Sequence, residues 1–288
     1  MRPGSLDRRL GRLLEAAARL LASAGLDDPK GEAERLWEGV SGVPRSRILA
    51  GLAPLPKVEQ EIEFESRLRR RLQGEPLAYV EGEQEFYGLK FSVGPEVLIP
   101  RADSECLIDA ALTHASQPVR RILDLGTGSG CLLLTLLKQW PEASGLGIDR
   151  SLPALNIAAG NAERLQLPSK VQWLCSDWLD ACAAAVFDLV ISNPPYVLPG
   201  ESLGPEVEGY EPALALFTPE NDPMAPYRTL LTEVPRCLRP GGLLCLEVGA
   251  GRADQVAALA RSLGWILVEI RSDLGGIPRA VVLTFGAD

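Results

Sequence analysis

The sequence predicts an α/β protein: a small N-terminal bundle of helices, then a mostly parallel sheet of seven strands with an antiparallel hairpin at one edge. From about residue 119, apolar runs alternate with glycine loops and helical segments, a pattern that builds a parallel sheet covered on both faces. A short glycine turn joins the last two apolar runs, which permits an antiparallel hairpin. In the first 75 residues, by contrast, apolar residues recur at helical spacing.

Four helices are predicted in this first segment. Leucines and alanines at helical spacing predict a helix over Leu6–Ala24, and the cap-and-proline pair Asp28-Pro29 starts a second. A short third helix is expected around Arg45–Leu52 and a fourth from about Val58 to Leu72. Helices this short cannot each bury a core, so we expect them to pack together.

A β-hairpin is predicted next, because the second half of residues 84–93 alternates apolar and polar after a turn glycine. The chain is therefore divided into a helical domain (1–75), a hairpin linker (76–97) and a sheet domain (98–288). The predicted strands of the sheet are Arg121–Leu125, Gly145–Ile148, Val171–Leu174, Phe187–Ile191, Leu243–Val248, Ile266–Ile270 and Ala280–Phe285. The helices predicted between them are Cys131–Trp140, Ala154–Leu165 and Ala253–Leu263.

Composition excludes several classes of protein. No apolar stretch approaches the roughly 20 residues that a membrane span needs, and the N-terminus lacks a secretion signal. The six cysteines form no C-x-x-C pair, and His114 is the only histidine and lies near the end of a predicted helix, where we interpret it as a partly exposed cap. We therefore expect a reduced, cytoplasmic, monomeric protein with no metal.

The charge pattern argues against a protein that wraps nucleic acid, because the net charge is −9. Residues 1–75 carry 14 Lys/Arg and 12 Asp/Glu, whereas the remainder carries 15 and 26. The four arginines of residues 67–71 are interpreted as a solvated helix face beside glutamates one turn earlier. These arginines are Arg67, Arg69, Arg70 and Arg71.

A glycine loop follows the first predicted strand of the sheet, at the edge where such folds bind ligands. The sequence is Asp124-Leu125-Gly126-Thr127-Gly128-Ser129-Gly130, which is neither a dinucleotide fingerprint nor a P-loop. Glycines let the backbone approach a ligand closely. The acid before the loop could receive a positively charged amino group.

Two further acids follow the next two strands. Asp149 could accept hydrogen bonds from ribose hydroxyls, or could instead cap the helix after it. Asp177 could meet an adenine amino group while Trp178 stacks on the ring, although Trp178 could also belong to the core. Acids at three consecutive strand ends favour a nucleoside site.

The tetrapeptide Asn193-Pro194-Pro195-Tyr196 follows the fourth predicted strand. Two prolines remove two backbone donors, so carbonyl groups stay free as acceptors. An asparagine oxygen and a proline carbonyl can together accept both N–H groups of a planar NH2, and the tyrosine offers a flat face. The tetrapeptide therefore predicts a site that orients a planar nitrogen; the alternative is a rigid turn without chemistry.

Together these residues resemble class I S-adenosylmethionine methyltransferases with an N-P-P-Y motif, and within them the protein-(glutamine-N5) methyltransferases of peptide chain release factors. Three further segments carry the narrower resemblance: Glu85–Gly88, Leu98–Glu105 and Glu211–Leu214. The resemblance covers nearly the whole chain and implies a Rossmann-like domain, with S-adenosylmethionine as cofactor and a release factor as protein partner. The chain departs from the family at Ser104, where threonine is usual, and over 217–224, where a glycine-rich stretch is usual.

The resemblance also implies roles for residues. The cofactor-binding residues would be Asp124, Gly126, Thr127, Gly128, Ser129, Gly130, Asp149, Asp177, Trp178 and Asn193. Asn193, Pro194, Pro195 and Tyr196 would hold the glutamine amide during transfer, with Arg101 and Glu105 also contacting the substrate, and the helical domain would grip another part of the release factor.

Three other functions stay open at this point. A sister family methylates a glutamine of a ribosomal protein, and nucleic-acid amino methyltransferases act on a similar planar NH2 of adenine or guanine. The acidic sheet domain argues against the second. A nucleoside-binding regulator without catalysis is disfavoured because Asn193–Tyr196 is intact.

Overall fold

The computed structural model describes residues 8–115, 118–181, 187–218 and 222–286. Two compact units share the chain. The helical unit comprises the residues up to Gly82 together with Leu203–Tyr210, and the sheet unit comprises Glu83–Ser202 and the residues from Glu211 onward. No helix within the described ranges is long and apolar enough to cross a membrane.

The helical unit is built around a core to which its first five helices contribute. At its centre the Trp37 and Phe64 rings lie edge to face, with centroids 5.7 Å apart. Both rings are fully buried, and aromatic pairs in this arrangement add to the stabilisation from burial alone. These helices are α1 (Arg8–Ser23), α2 (Pro29–Ser41), α3 (Arg45–Leu49), α4 (Val58–Leu72) and α5 (Leu77–Glu81).

The predicted helix boundaries hold where a capping signal exists. Asp28 Oδ1 accepts the N–H of Gly31 at 3.0 Å, which starts α2 at Pro29. The first helix begins at Arg8, and residues 6 and 7 lie outside the described part. The third helix ends three residues before its predicted end, at Leu49. The fifth helix, α5, was not predicted, because residues 76–97 were assigned to the hairpin linker.

The surface interpretation of the arginine cluster is wrong for Arg71. Its side chain is 4% exposed and its guanidinium bridges two carboxylates, Glu32 at 2.6 Å and Glu206 at 2.7 Å. Nη1 also donates to the carbonyl of Glu75 at 3.2 Å. Partners 39 and 135 residues away satisfy its donors, so burial is tolerated although helical periodicity places it beside solvated neighbours.

The sheet unit alternates strands and helices as the sequence predicts. It opens with the hairpin strands β1 (Glu83–Phe86) and β2 (Leu89–Ser92). The elements that follow are α6 (Glu105–His114), β3 (Arg121–Leu125), α7 (Cys131–Gln139), β4 (Ser144–Asp149), α8 (Leu152–Arg164), β5 (Val171–Cys175) and β6 (Phe187–Ser192). After α9 (Pro205–Tyr210) of the helical unit come α10 (Ala213–Leu216), α11 (Ala225–Glu233), β7 (Leu238–Glu247), α12 (Ala253–Ser262), β8 (Ile266–Ser272) and β9 (Pro278–Thr284).

The seven-stranded sheet has the order β5-β4-β3-β6-β7-β9-β8. All pairs up to β7 are parallel, and β9 is antiparallel to both of its neighbours. The predicted mostly parallel sheet with an antiparallel edge hairpin is thus confirmed, with β9 inserted between β7 and β8. From β3 the chain proceeds outward through β4 and β5, and then returns to β6 on the other side of β3. The strand order therefore reverses between β3 and β6, which is where such sheets bind ligands.

Buried Arg71 provides a test of this packing. We expect Arg71→Ala to lower the free energy of unfolding by about 3 kcal/mol, because Glu32 loses its partner in a buried site. Urea unfolding followed by circular dichroism and tryptophan fluorescence measures the loss.

The matched control is Arg69→Ala, two positions earlier on α4. Arg69 is exposed and lies 3.5 Å from an exposed Glu65, so its loss is expected to leave the unfolding curve almost unchanged. Equal effects of the two substitutions would contradict a structural role for the buried ion pairs.

Candidate functional site

Three neighbouring strands end at the same level of the sheet. Leu125 of β3 is paired with Ser192 of β6, and Ser192 is paired with Leu246 of β7. The buried hydroxyl of Ser192 donates to the carbonyl of Leu125 at 2.7 Å. The glycine loop after β3 and the tetrapeptide after β6 therefore leave the sheet side by side.

The glycine loop has the conformation that its glycines permit. Gly126, Gly128 and Gly130 have φ of +73°, +54° and +79°, where other residues are strained. The N–H groups of Gly126 and Thr127 both donate to the carbonyl of Ile148, which ties the loop to β4. A Cβ on Gly126 would lie 3.9 Å from the carbonyl oxygen of Asn193, and one on Gly128 would point into open space.

Asn161 of α8 holds the loop from beneath. Its buried Nδ2 donates to the carbonyls of Ser129 at 2.9 Å and Ser92 at 3.0 Å, while its Oδ1 accepts the N–H of Ser92 at 2.7 Å. Its side chain thereby fastens the glycine loop to β2. Sequence reasoning missed it, although an asparagine on the buried face of a predicted helix is a visible signal, since buried amides need partners.

Asp124 lies under the glycine loop and is completely buried. Thr127 Oγ1 donates to its Oδ2 at 2.6 Å, and its Oδ1 has no hydrogen-bond partner in the described part of the protein. Burial raises the pKa of Asp124 to about 7; the charge of Asp149 adds to this and the Thr127 hydrogen bond opposes it. A buried carboxylate oxygen without a partner is what a cationic ligand group would satisfy.

The other two strand-end acids, Asp149 and Asp177, have different surroundings from Asp124. Asp149 accepts the N–H of Gly128 on Oδ2 and that of Ser151 on Oδ1, both at 2.9 Å, and burial raises its pKa. Ser151 caps α8 instead of Asp149 by accepting the N–H of Ala154. Asp177 is exposed. Trp178 has φ +43°, unusual for so bulky a residue, and is only partly buried.

A cavity of about 550 Å³ brings most of the predicted site residues together. This volume is within the range of sites for small molecules and cofactors. The predicted residues that line it are Arg101, Gly126, Thr127, Gly128, Ser129, Asp149, Asp177, Trp178, Asn193 and Pro195. Gly130 lies at the start of α7, where a Cβ would approach Leu134 to 3.1 Å, so its role in the structure is close packing. No group of three or more metal-ligating side chains occurs among the described residues.

The tetrapeptide is supported by polar contacts. Asn193 Nδ2 donates to the hydroxyl oxygen of Ser104 at 3.4 Å, and its Oδ1 accepts no hydrogen bond from the residues that the structure describes. The Tyr196 hydroxyl donates to Glu247 Oε1 at 3.3 Å, and burial together with the Glu247 charge raises the pKa of Tyr196. Gly249 leaves room for the ring, since a Cβ there would lie 3.1 Å from Tyr196 Cδ2.

Glu247 is a second buried acid of the site, and it was not predicted. It ends β7, is 2% exposed, and keeps one oxygen, Oε2, without a partner in the described structure. Burial raises its pKa to about 7, while the nearby Ser104 hydroxyl, the charge of Arg279 and the hydrogen bond from Tyr196 oppose the shift. The available signal was an acid ending an otherwise apolar strand.

The remaining predicted residues, Arg101 and Glu105, have different surroundings. Arg101 lines the cavity and is paired with the buried carboxylate of Glu211, which also accepts the N–H of Ile99 at 3.1 Å. Glu105 lies in the first turn of α6 and accepts the N–H of Tyr87 at 2.7 Å. The structure therefore brings Arg101 to the cavity and uses Glu105 to hold the hairpin.

Comparison with protein families matches both parts of the chain. Residues 12–82 match the model of the PrmC N-terminal domain, and residues 103–203 match that of the methyltransferase small domain.

Known proteins resemble it over most of its length. A release factor glutamine methyltransferase of Cereibacter sphaeroides is 40% identical over 276 residues, covering 95% of this chain and 97% of that protein. One of Salmonella typhimurium is 40% identical over 258 residues, covering 88% and 91%. In fold, a methyltransferase of Pyrococcus furiosus superposes with a TM-score of 0.54 at 18% identity, covering 77% of this chain and 99% of that one.

The raised pKa of Asp124 predicts that this residue makes the ligand-free protein less stable above neutral pH. The folded protein keeps this proton up to about pH 7, whereas the unfolded chain releases it near pH 4. The free energy of unfolding is therefore highest below pH 4 and falls as the pH rises to about 7. We expect ligand-free Asp124→Asn to be more stable than wild type at pH 8 by about 2 kcal/mol.

The difference should become smaller at pH 5, where the carboxyl of the folded wild-type protein is protonated. Thermal and urea unfolding at both pH values measure it, with Asp177→Asn as the control, because Asp177 is an exposed acid. An Asp124→Asn variant no more stable than wild type at pH 8 would show that burial of the charged Asp124 carboxylate does not destabilise the fold.

Proposed function

The chain belongs to the family of release factor glutamine methyltransferases, and from this premise we propose that it methylates the side-chain amide nitrogen (N5) of the glutamine in a release factor's Gly-Gly-Gln loop. The chain is thus an S-adenosylmethionine-dependent methyltransferase. The observation that carries the finer proposal is the position of Asn193 beside the glycine loop, where the strand order reverses, with an Oδ1 that no described residue occupies.

The residues around the cavity fit S-adenosylmethionine. When bound, it supplies an electrophilic methyl carbon on a sulfonium. The unpartnered Oδ1 of Asp124 suits a positively charged amino group, and the open space at Gly128 lets the backbone approach a ligand. In the proposal Asp149 accepts from ribose hydroxyls, since each carboxylate oxygen retains a lone pair. Asp177 and Trp178 receive the adenine.

The acceptor half of the proposal rests on orientation. Asn193 Oδ1 and the carbonyl of Pro194 would accept the two N–H groups of the glutamine amide, which directs the nitrogen lone pair toward the methyl carbon. Tyr196 would lie against the planar amide, its ring held through the hydroxyl by Glu247. Both prolines lack N–H groups, so no backbone donor at these positions competes for the carbonyl oxygens.

The selection of the protein substrate is assigned to other parts of the chain. We infer that the helical domain, predicted over 1–75, recognises the release factor away from its glutamine, and that Arg101 and Glu105 contact the substrate near the cavity. Arg101 keeps this role in the proposal because the residue lines the cavity and its guanidinium is paired with Glu211. Glu105 would act through the hairpin backbone that it holds.

Transfer of label tests the acceptor directly. Purified enzyme with methyl-labelled S-adenosylmethionine is expected to label a release factor, and not its Gln→Ala loop variant, because the amide nitrogen is the nucleophile. A ribosomal protein and duplex DNA are the competing acceptors in parallel reactions. Label on DNA, on the ribosomal protein alone, or on the Gln→Ala variant would overturn the proposal.

Substitution of Asn193 separates the acceptor from the cofactor. We expect Asn193→Ala to keep cofactor affinity within roughly tenfold and to lose most turnover, because the side chain mainly orients the acceptor. Calorimetric titration with S-adenosylmethionine and steady-state transfer rates measure the two quantities. Asp124→Ala is the counterpart, for which affinity is expected to fall most; equal losses of affinity and turnover in Asn193→Ala would instead assign Asn193 to cofactor binding.

A further inference from the structure

We propose that Glu211 is a positioning residue for the protein acceptor, because it joins two segments that wall the cavity. The proposal rests on the proposed function, since it concerns how the acceptor is received. The first wall is residues 96–101 and the second wall is residues 211–218. Both contribute lining residues to the cavity, whereas Glu211 itself does not line it and acts through its neighbours.

The first wall depends on Glu211 for its position. Residues 98–101 belong to neither a helix nor a strand, so no ladder of backbone hydrogen bonds holds them. The N–H of buried Ile99 donates to Glu211 Oε2 at 3.1 Å, and Arg101 Nη2 donates to Oε1. The Glu211 side chain is 1% exposed, and these contacts occupy both of its oxygens. Because a buried carboxylate needs such partners, the three residues are held together as one unit.

The second wall is fixed at its other end to the residue that follows the tetrapeptide. Val197 donates its N–H to the carbonyl of Leu216 at 3.0 Å and accepts the N–H of Thr218 at 2.8 Å. The short helix α10 lies between Glu211 and this pairing. Glu211 therefore connects the first wall, through the second wall, to the acceptor half of the site.

The glycine loop is held by other contacts. The N–H groups of Gly126 and Thr127 donate to the carbonyl of Ile148, and Asn161 holds the end of the loop. Neither wall takes part in these hydrogen bonds. Loss of Glu211 is therefore expected to disturb the reception of the acceptor and to leave the cofactor loop in place.

Arg101 is the group that this arrangement presents to an acceptor. The residue lines the cavity and its side chain is 40% exposed. Its only hydrogen bond to a described residue is the one to Glu211. An arginine carries five N–H donors, so the others are available to the carbonyl oxygens of a polypeptide. Pairing with Glu211 restricts the side chain beforehand, which lowers the entropy lost when the acceptor binds.

The test measures acceptor and cofactor separately. We expect Glu211→Ala to lower kcat/KM for the release factor by roughly 10- to 100-fold, mainly through a higher KM, because the walls lose their connection. The dissociation constant of S-adenosylmethionine should stay within about threefold of wild type. Hydrogen–deuterium exchange of residues 97–101 should become faster, because the Ile99 N–H loses its acceptor.

The isosteric variant Glu211→Gln separates the two contacts. It keeps an oxygen for the Ile99 N–H but loses the charge that pairs with Arg101, so we expect a smaller rise in KM, roughly three- to tenfold. Exchange of residues 97–101 should stay closer to wild type than in Glu211→Ala.

Asp188→Ala and Asp188→Asn are the matched controls for the loss of a buried ion pair. Asp188 is also buried, pairs with Arg239 at 2.6 Å and accepts the N–H groups of Arg120 and Arg121. It lies near the start of β6 and does not line the cavity. These variants should lower the unfolding temperature and leave the KM for the release factor unchanged.

The same pattern in the Glu211 variants, a lower unfolding temperature with wild-type KM, would overturn the proposal. An equal loss of cofactor affinity, or unchanged exchange of residues 97–101 in Glu211→Ala, would also overturn it. If Glu211→Ala does not fold, the KM of Glu211→Gln decides. Label transfer to the release factor by the wild-type protein reports separately on the proposed function. If the label goes to another acceptor instead, the same series is measured with that acceptor.

Discussion

The register of the central strands is the constraint on which the site depends. Leu125, Ser192 and Leu246 are aligned across three parallel strands, and the Ser192 hydroxyl ties two of these strand ends together. A slip of one residue in either pairing would turn the side chains near the strand ends to the opposite face. Asp124 and Glu247, which both lie near those ends, would then face the opposite side of the sheet and leave their present partners. The chemistry of the site is therefore set by backbone hydrogen bonds before any side chain contributes.

Much of this arrangement was predictable because its signals are local. The strands are apolar runs, the glycine loop stands between a strand and a helix, and the order of acids and tetrapeptide follows the strand ends. What the sequence did not reveal depends on partners far along the chain. The burial of Arg71 requires Glu32 and Glu206, the role of Asn161 requires Ser92, and that of Glu247 requires Tyr196. Periodicity gives information only about residues within one helix or strand, so it cannot predict pairs between distant elements.

Two acids with raised pKa values lie near the ends of the central strands. Asp124 lies beneath the glycine loop, Glu247 lies behind the tetrapeptide, and each keeps one oxygen without a partner in the part of the chain that the structure describes. Each therefore weakens the ligand-free fold near neutral pH, because a buried carboxylate is poorly solvated. Functional sites commonly lower the stability of the ligand-free fold in this way, and the binding of a ligand offsets the loss.

The eight residues Leu203–Tyr210 belong to the helical unit although the sheet unit supplies the chain on both sides of them. Glu206 meets Arg71 there, and the Tyr210 hydroxyl donates to the carbonyl of Gln73 at 2.9 Å. No single cut in the gene can consequently separate the two units. Removing the residues before Glu83 would leave Leu203–Tyr210 in the chain without the helices they pack with. The helical unit is in this sense a discontinuous domain, and any recombination that replaces it with another must exchange two segments at once.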